Sequence, residues 1–114
     1  MVYKYLMDKH IDAVLIDNDP LVHLTWQFAA DQFHKNLLVF QHPKEFFLTT
    51  NTIPYDTCVY IDSNLSHNLK GELVAKEIYT AGYTHIYLVT GNETSTFAEM
   101  PWLKKILDKT PPWL

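Results

Sequence analysis

The sequence predicts an open α/β fold built on a parallel sheet, and three observations point to it. Short runs of β-branched and aromatic residues, Ala13 to Ile16, Thr57 to Ile61 and His85 to Val89, are apolar on both faces, as strands of a covered parallel sheet are. Each run ends abruptly in polar residues: Asp17-Asn18-Asp19, Asp62-Ser63-Asn64 and Thr90-Gly91-Asn92. Between the runs lie segments with helical spacing or helix-start signals, giving the alternation β-α-β-α-β-α-β-α-β with right-handed crossovers and helices on both faces.

In chain order, residues 1–12 read as a lead-in or linker and residues 13–114 as the domain. The first strand is Ala13 to Ile16. Asp19 followed by Pro20 is a helix-start signal, and residues 20–35 read as a helix with Leu21, Leu24 and Phe28 on its apolar face and Trp26 and Phe33 flanking it. Leu37 to Phe40 is the second strand, and Pro43 opens a short helix to Leu48. The central strand ends at Asp62, a polar loop runs from Ser63 to Lys70, and Gly71 hinges into a helix over about Glu72 to Thr80. Gly82 suits a left-handed cap, and His85 to Val89 is the fourth strand. Asn92 to Met100 leaves room for at most two helical turns. Leu103 to Leu107 reads as a weaker fifth strand, with no helix after it.

A chain of 114 residues is one domain with one sizeable core. With 47% hydrophobic and 19% charged residues and no low-complexity tract, it is not a disordered chain. A formal charge of −4 offers no basic surface, so direct nucleic-acid or membrane binding is not expected. No apolar run approaches the ~18 residues that span a bilayer. Met1 to His10 is too charged for a signal-peptide core, so a cytoplasmic location is the expectation. Cys58, the single cysteine, reads as a small hydrophobe in the central strand. The six histidines fall on separate elements without ligand spacing, which argues against zinc.

Acidic or hydroxyl residues after any one strand can simply cap the next helix. Three such strand ends on one rim, with Lys109 beyond the fifth strand, form a constellation. Carboxylates there are hard ligands suited to Mg²⁺, a lysine offsets phosphoryl charge, and an aspartate can attack an activated phosphate to form an acyl phosphate.

On Val14 to Val22, Val59 to Leu65 and Ile86 to Gly91, the sequence resembles the receiver (phosphoacceptor, CheY-like) domain of two-component response regulators, over roughly residues 13–110. The resemblance implies a flavodoxin-like, three-layer sandwich with a five-stranded parallel sheet in the order 2-1-3-4-5. Here it would carry a short fourth helix and no fifth. It also implies that Asp62 accepts a phosphoryl group from a histidine kinase or phosphotransfer protein. Asp17, Asn18, Asp62 and the backbone carbonyl of Asn64 would hold Mg²⁺, with Thr90 and Lys109 contacting the phosphoryl group.

Several positions depart from the family pattern. Asn18 replaces the second acid and should weaken Mg²⁺ binding, with Asp19 a compensating carboxylate only if it leaves its cap. Ser66 stands where the family has proline, and Gly71 comes one residue late. Thr110 separates Lys109 from Pro111, and Ile106 stands where a switch aromatic is expected. The face lacking a last helix, with Trp102 and Trp113 nearby, is the expected surface for a second copy or an adjacent domain, as in the terminal piece of a hybrid sensor kinase.

Two other readings stand beside the phosphoacceptor. One is a degenerate receiver that binds a protein without phosphorylation. The other is an enzyme resembling the haloacid-dehalogenase phosphatases, with Asp17 as nucleophile and Asp19 as general acid/base. In this sequence Pro20 and Leu21 stand where that family has glycine and threonine, and no acidic pair follows Thr90.

Overall fold

Five parallel strands in the order β2-β1-β3-β4-β5 form one sheet in the computed structural model, which describes residues 10–91 and 97–114. The strands are β1 (Ala13–Ile16), β2 (Leu37–Phe40), β3 (Cys58–Asp62), β4 (Ile86–Val89) and β5 (Lys105–Leu107). The helices are α1 (Pro20–Gln32), α2 (Pro43–Leu48) and α3 (Gly71–Thr80). This is the predicted architecture and strand order. The lead-in expected at the N-terminus falls mostly on residues 1–9, outside the described residues.

Strand alternation sends each strand's side chains to both faces of the sheet. On one face Val14, Ile16, Val59, Ile61, Ile86 and Leu88 meet Phe46 from α2 and Val74, Ala75 and Ile78 from α3. Tyr83 completes this layer, its hydroxyl donating to the Thr50 and Ile53 carbonyls at 3.1 and 2.8 Å. The other face carries Ala13, Leu15, Leu37, Tyr60 and Val89, and α1 covers it with Trp26 and Ala30.

The structure corrects several sequence expectations. Helix α1 buries Trp26, Ala29 and Ala30, while Leu21, Leu24 and Phe28 are 72, 68 and 67% exposed. The helix has apolar residues on two sides, and the sheet takes the side where two alanines allow close approach and an indole fills the remaining space. It stops at Gln32, with Phe33 as its C-cap. Strand β5 begins at Lys105, two residues later than expected, and the Lys104 N–H already donates to the Ile86 carbonyl at 2.7 Å, leading the chain into its pairing with β4. Of the short fourth helix expected over Asn92 to Met100, residues 92–96 lie outside the described residues, and 97–100 are not helical. After β5, residues 108–114 form turns only. Gly82 ends α3 with φ of 121°, as the cap expectation required.

Trp102 and Trp113 do not form one patch. Trp102 lies against the α3 side, its indole donating to the Glu72 carbonyl at 2.9 Å and Lys76 5.1 Å above its ring. Trp113 lies on the opposite side of the sheet, edge-on to Trp26 at 6.2 Å. Cys58 opens β3 rather than sitting mid-strand; burial and the nearby Asp56 push its thiol pKa up, which disfavours the thiolate.

Candidate functional site

Strand register builds the site. Ile16 pairs with Ile61, so Asp17 and Asp62 leave neighbouring strands at the same level on the C-terminal rim. Asp62 itself pairs with Val89, which puts Thr90 one step beyond it on the next strand. The Thr90 N–H donates to the Leu107 carbonyl at 2.9 Å, tying the end of β4 to β5 and thus to the segment that carries Lys109. Asp17 and Thr90 are fully buried and Asp62 is 4% exposed.

Lys109 joins the two carboxylates. Its Nζ lies 3.1 Å from Asp17 Oδ2 and 3.1 Å from Asp62 Oδ1. The other Asp17 oxygen accepts the Asp19 N–H at 2.8 Å, and Asp62 Oδ1 also accepts the Asn64 N–H at 3.3 Å. Two carboxylates facing one ammonium leave the cluster one negative charge in excess. Burial and the Asp17 charge together raise the Asp62 pKa, although Lys109 and the Asn64 N–H act to lower it. For Lys109, burial lowers the pKa, but the two carboxylates and the hydrogen bonds to them outweigh it and the net shift is upward.

The loop after Asp62 is held by bonds from the Gly71 N–H to Ser63 and from the Leu65 N–H to Leu69, at 3.0 Å each. Neither uses the Asn64 carbonyl oxygen. Glycine is required where α3 begins: a Cβ on Gly71 would lie 1.8 Å from the Asp62 carbonyl oxygen. Position 71 is thus fixed by the close packing of the helix start on the strand that carries Asp62. His67, in the same loop, adopts φ of 61° and is exposed.

Asn18 is half-buried beside the cluster. Asp19 is turned away from it: its Oδ1 accepts the Leu21 N–H at 2.9 Å and caps α1, so it neither replaces the missing acid nor serves as the acid/base partner of Asp17. No group of three or more His, Cys, Asp or Glu is arranged to hold a metal among the described residues. The hard donors present are the Asp17 and Asp62 carboxylates with amide and carbonyl oxygens. They fit Mg²⁺, which binds through one or two carboxylates and keeps several waters.

Two contacts escaped the sequence reading. His23, one turn into α1, sets its Nε2 against the Asp17 backbone carbonyl. Trp26 donates its indole N–H to the Lys109 carbonyl at 3.0 Å. His23 follows Asp17 at a spacing that brings the first turn of a helix back over the strand end, which is the one sequence signal available. The Trp26 bond spans 83 residues and leaves no such signal.

The sequence matches no protein-family model and no curated protein. The fold is similar to the crystal structure of the N-terminal domain of a response regulator/sensory box/GGDEF three-domain protein from Carboxydothermus hydrogenoformans. The TM-score is 0.72 at 10% identity, covering 89% of this chain and 83% of that one. The chain therefore has the flavodoxin-like receiver fold; at this identity the likeness concerns fold alone. Among the described residues, no helix is long and apolar enough to cross a membrane.

Proposed function

We propose that this domain is a phosphoacceptor in two-component signalling, with Asp62 taking a phosphoryl group from a histidine kinase or phosphotransfer protein. The observation that carries this reading is Lys109 Nζ at 3.1 Å from both Asp17 and Asp62 on the C-terminal rim of the sheet. An Asp62 carboxylate oxygen attacks the phosphorus of phosphohistidine, the P–N bond breaks, the imidazole leaves with the bond pair, and an acyl phosphate forms. The Lys109 ammonium neutralises part of the charge carried by the transferring group, and Thr90 offers a hydroxyl to it. Asp17, Asn18, Asp62 and the Asn64 carbonyl would hold Mg²⁺, which supplies further charge neutralisation when bound. With Asn18 in place of an acid, the Mg²⁺ affinity is expected to be weak.

The test is intact mass after incubation with Mg²⁺ and acetyl phosphate. Wild type should gain one phosphate and Asp62→Asn none; an unmodified wild type, with no Mg²⁺-dependent beryllofluoride binding either, overturns the reading. The degenerate receiver that binds a protein without phosphorylation is then the second reading. It is favoured by the exposed apolar side of α1, where Leu21, Leu24 and Phe28 face solvent.

A further inference from the structure

Trp26 has no part in the phosphoacceptor chemistry, yet it links three of the segments that build the site. Only 1% exposed, it stands on α1, the helix that follows Asp17. Its ring meets Tyr60, two residues before Asp62 on β3, edge-on at 5.2 Å, and Trp113 of the C-terminal segment at 6.2 Å. Its N–H reaches the backbone carbonyl of Lys109.

The segment after β5 needs an outside anchor. Its bonds from Thr110 N–H to Asp108 Oδ1 and from Leu114 N–H to the Pro111 carbonyl are local and do not tie it to the sheet. A proline restricts the residue before it to extended backbone, but here Thr110 takes that restriction and Lys109 is left outside it. Lysine adds a flexible four-carbon stem. A side chain of that length finds two carboxylates reproducibly only if its own backbone is fixed.

We propose that Trp26 is the positioning residue for Lys109, its indole N–H fixing the Lys109 carbonyl so that Nζ spans Asp17 and Asp62. Its consequence for phosphoryl transfer rests on the phosphoacceptor reading; the placement of the lysine does not.

The test is competitive labelling of the full chain with sub-stoichiometric acetic anhydride, with the rate at each lysine read by mass spectrometry. In wild type, Lys109 should react well below the exposed Lys104 and Lys105. Trp26→Phe, which keeps a ring and loses the donor, should raise the Lys109 rate about three- to tenfold, the factor that loss of one hydrogen bond carries. The rates at Lys104 and Lys105 should stay as they were. Trp102→Phe removes a comparable indole-to-carbonyl bond on the other face and should leave Lys109 protected. If Trp26→Phe does not fold, an isostere at position 26 with sulfur in place of the indole N–H keeps the ring and answers the same question. Undiminished protection of Lys109 in the donor-less variants overturns the proposal, as does an equal loss of protection in Trp102→Phe. A wild type that neither takes phosphate from acetyl phosphate nor binds beryllofluoride with Mg²⁺ would defeat the phosphoacceptor reading and leave the labelling result to decide on Trp26.

Discussion

The two faces of the sheet are built to different standards. The α2/α3 face packs two helices over Val14, Ile16, Val59, Ile61, Ile86 and Leu88, and each of these is fully buried. The α1 face has one helix, and beyond it Tyr87, stacked on the buried Tyr60 at 4.9 Å and 15°, is only half-buried, as are Leu107 and Trp113. The stable side of this domain is therefore the side away from Trp26. The lysine that completes the site is attached to the thinner side, through the Trp26 hydrogen bond, the packing of Trp113 and a short irregular segment.

The largest effect is expected on the dense face. Phe46 is fully buried and meets Phe40, Phe47 and Tyr83 edge-on, so Phe46→Ala should cost about 3–5 kcal/mol in urea unfolding. An effect no larger than that of Tyr87→Ala would remove the contrast between the faces. Lys109→Met comes next, at roughly 2–4 kcal/mol. Removing one partner of a buried ion cluster strands the others, and the partial exposure of Lys109 keeps the figure below that of a fully enclosed pair. Because the Lys109 pKa is raised on folding, its contribution is complete below the unfolded value of ~10.4 and fades as pH rises through the folded one. The difference between Lys109→Met and wild type should shrink in alkali.

Tyr87→Ala on the thinner face should cost about 1–2 kcal/mol, a partly exposed ring with one stacking partner. Asp62→Asn should act in the opposite direction and raise Tm by a few degrees at neutral pH. The raised Asp62 pKa means that the folded state holds this proton more tightly than the unfolded chain. Stability therefore falls as pH rises from ~3.9 through the folded value, and the penalty is complete above it. The variant should lose that acid-side slope, and an unchanged slope would remove Asp62 as its source. The smallest effect is at Phe28, which points to solvent: Phe28→Ser should change stability by no more than about 0.5 kcal/mol. A large loss there would mean that this side of α1 is covered.

Much of the site was readable because it depends on short-range pattern. Asp17, Asp62 and Thr90 each follow an apolar run, and parallel pairing of equivalent strands brings run ends to one rim whatever the helices do. Lys109 was placed with them as a lysine beyond the fifth strand, and its contact with both carboxylates is a tertiary fact. The reading of α1 went astray for a related reason. Leu21, Leu24 and Phe28 have helical spacing as good as that of the buried set, and periodicity shows that a helix has an apolar side without choosing between two.

By itself, the sequence determined the strands, their polar ends and the alternation with helices, since backbone preference and side-chain period act over a few residues. The tertiary structure decided which side of α1 is buried, that residue 71 must be glycine, that Trp102 and Trp113 lie on opposite faces, and that Trp26 meets Lys109. Those are outcomes of close packing between segments far apart in the chain. Volume and approach distance select among them, and neither is written in any local run of residues.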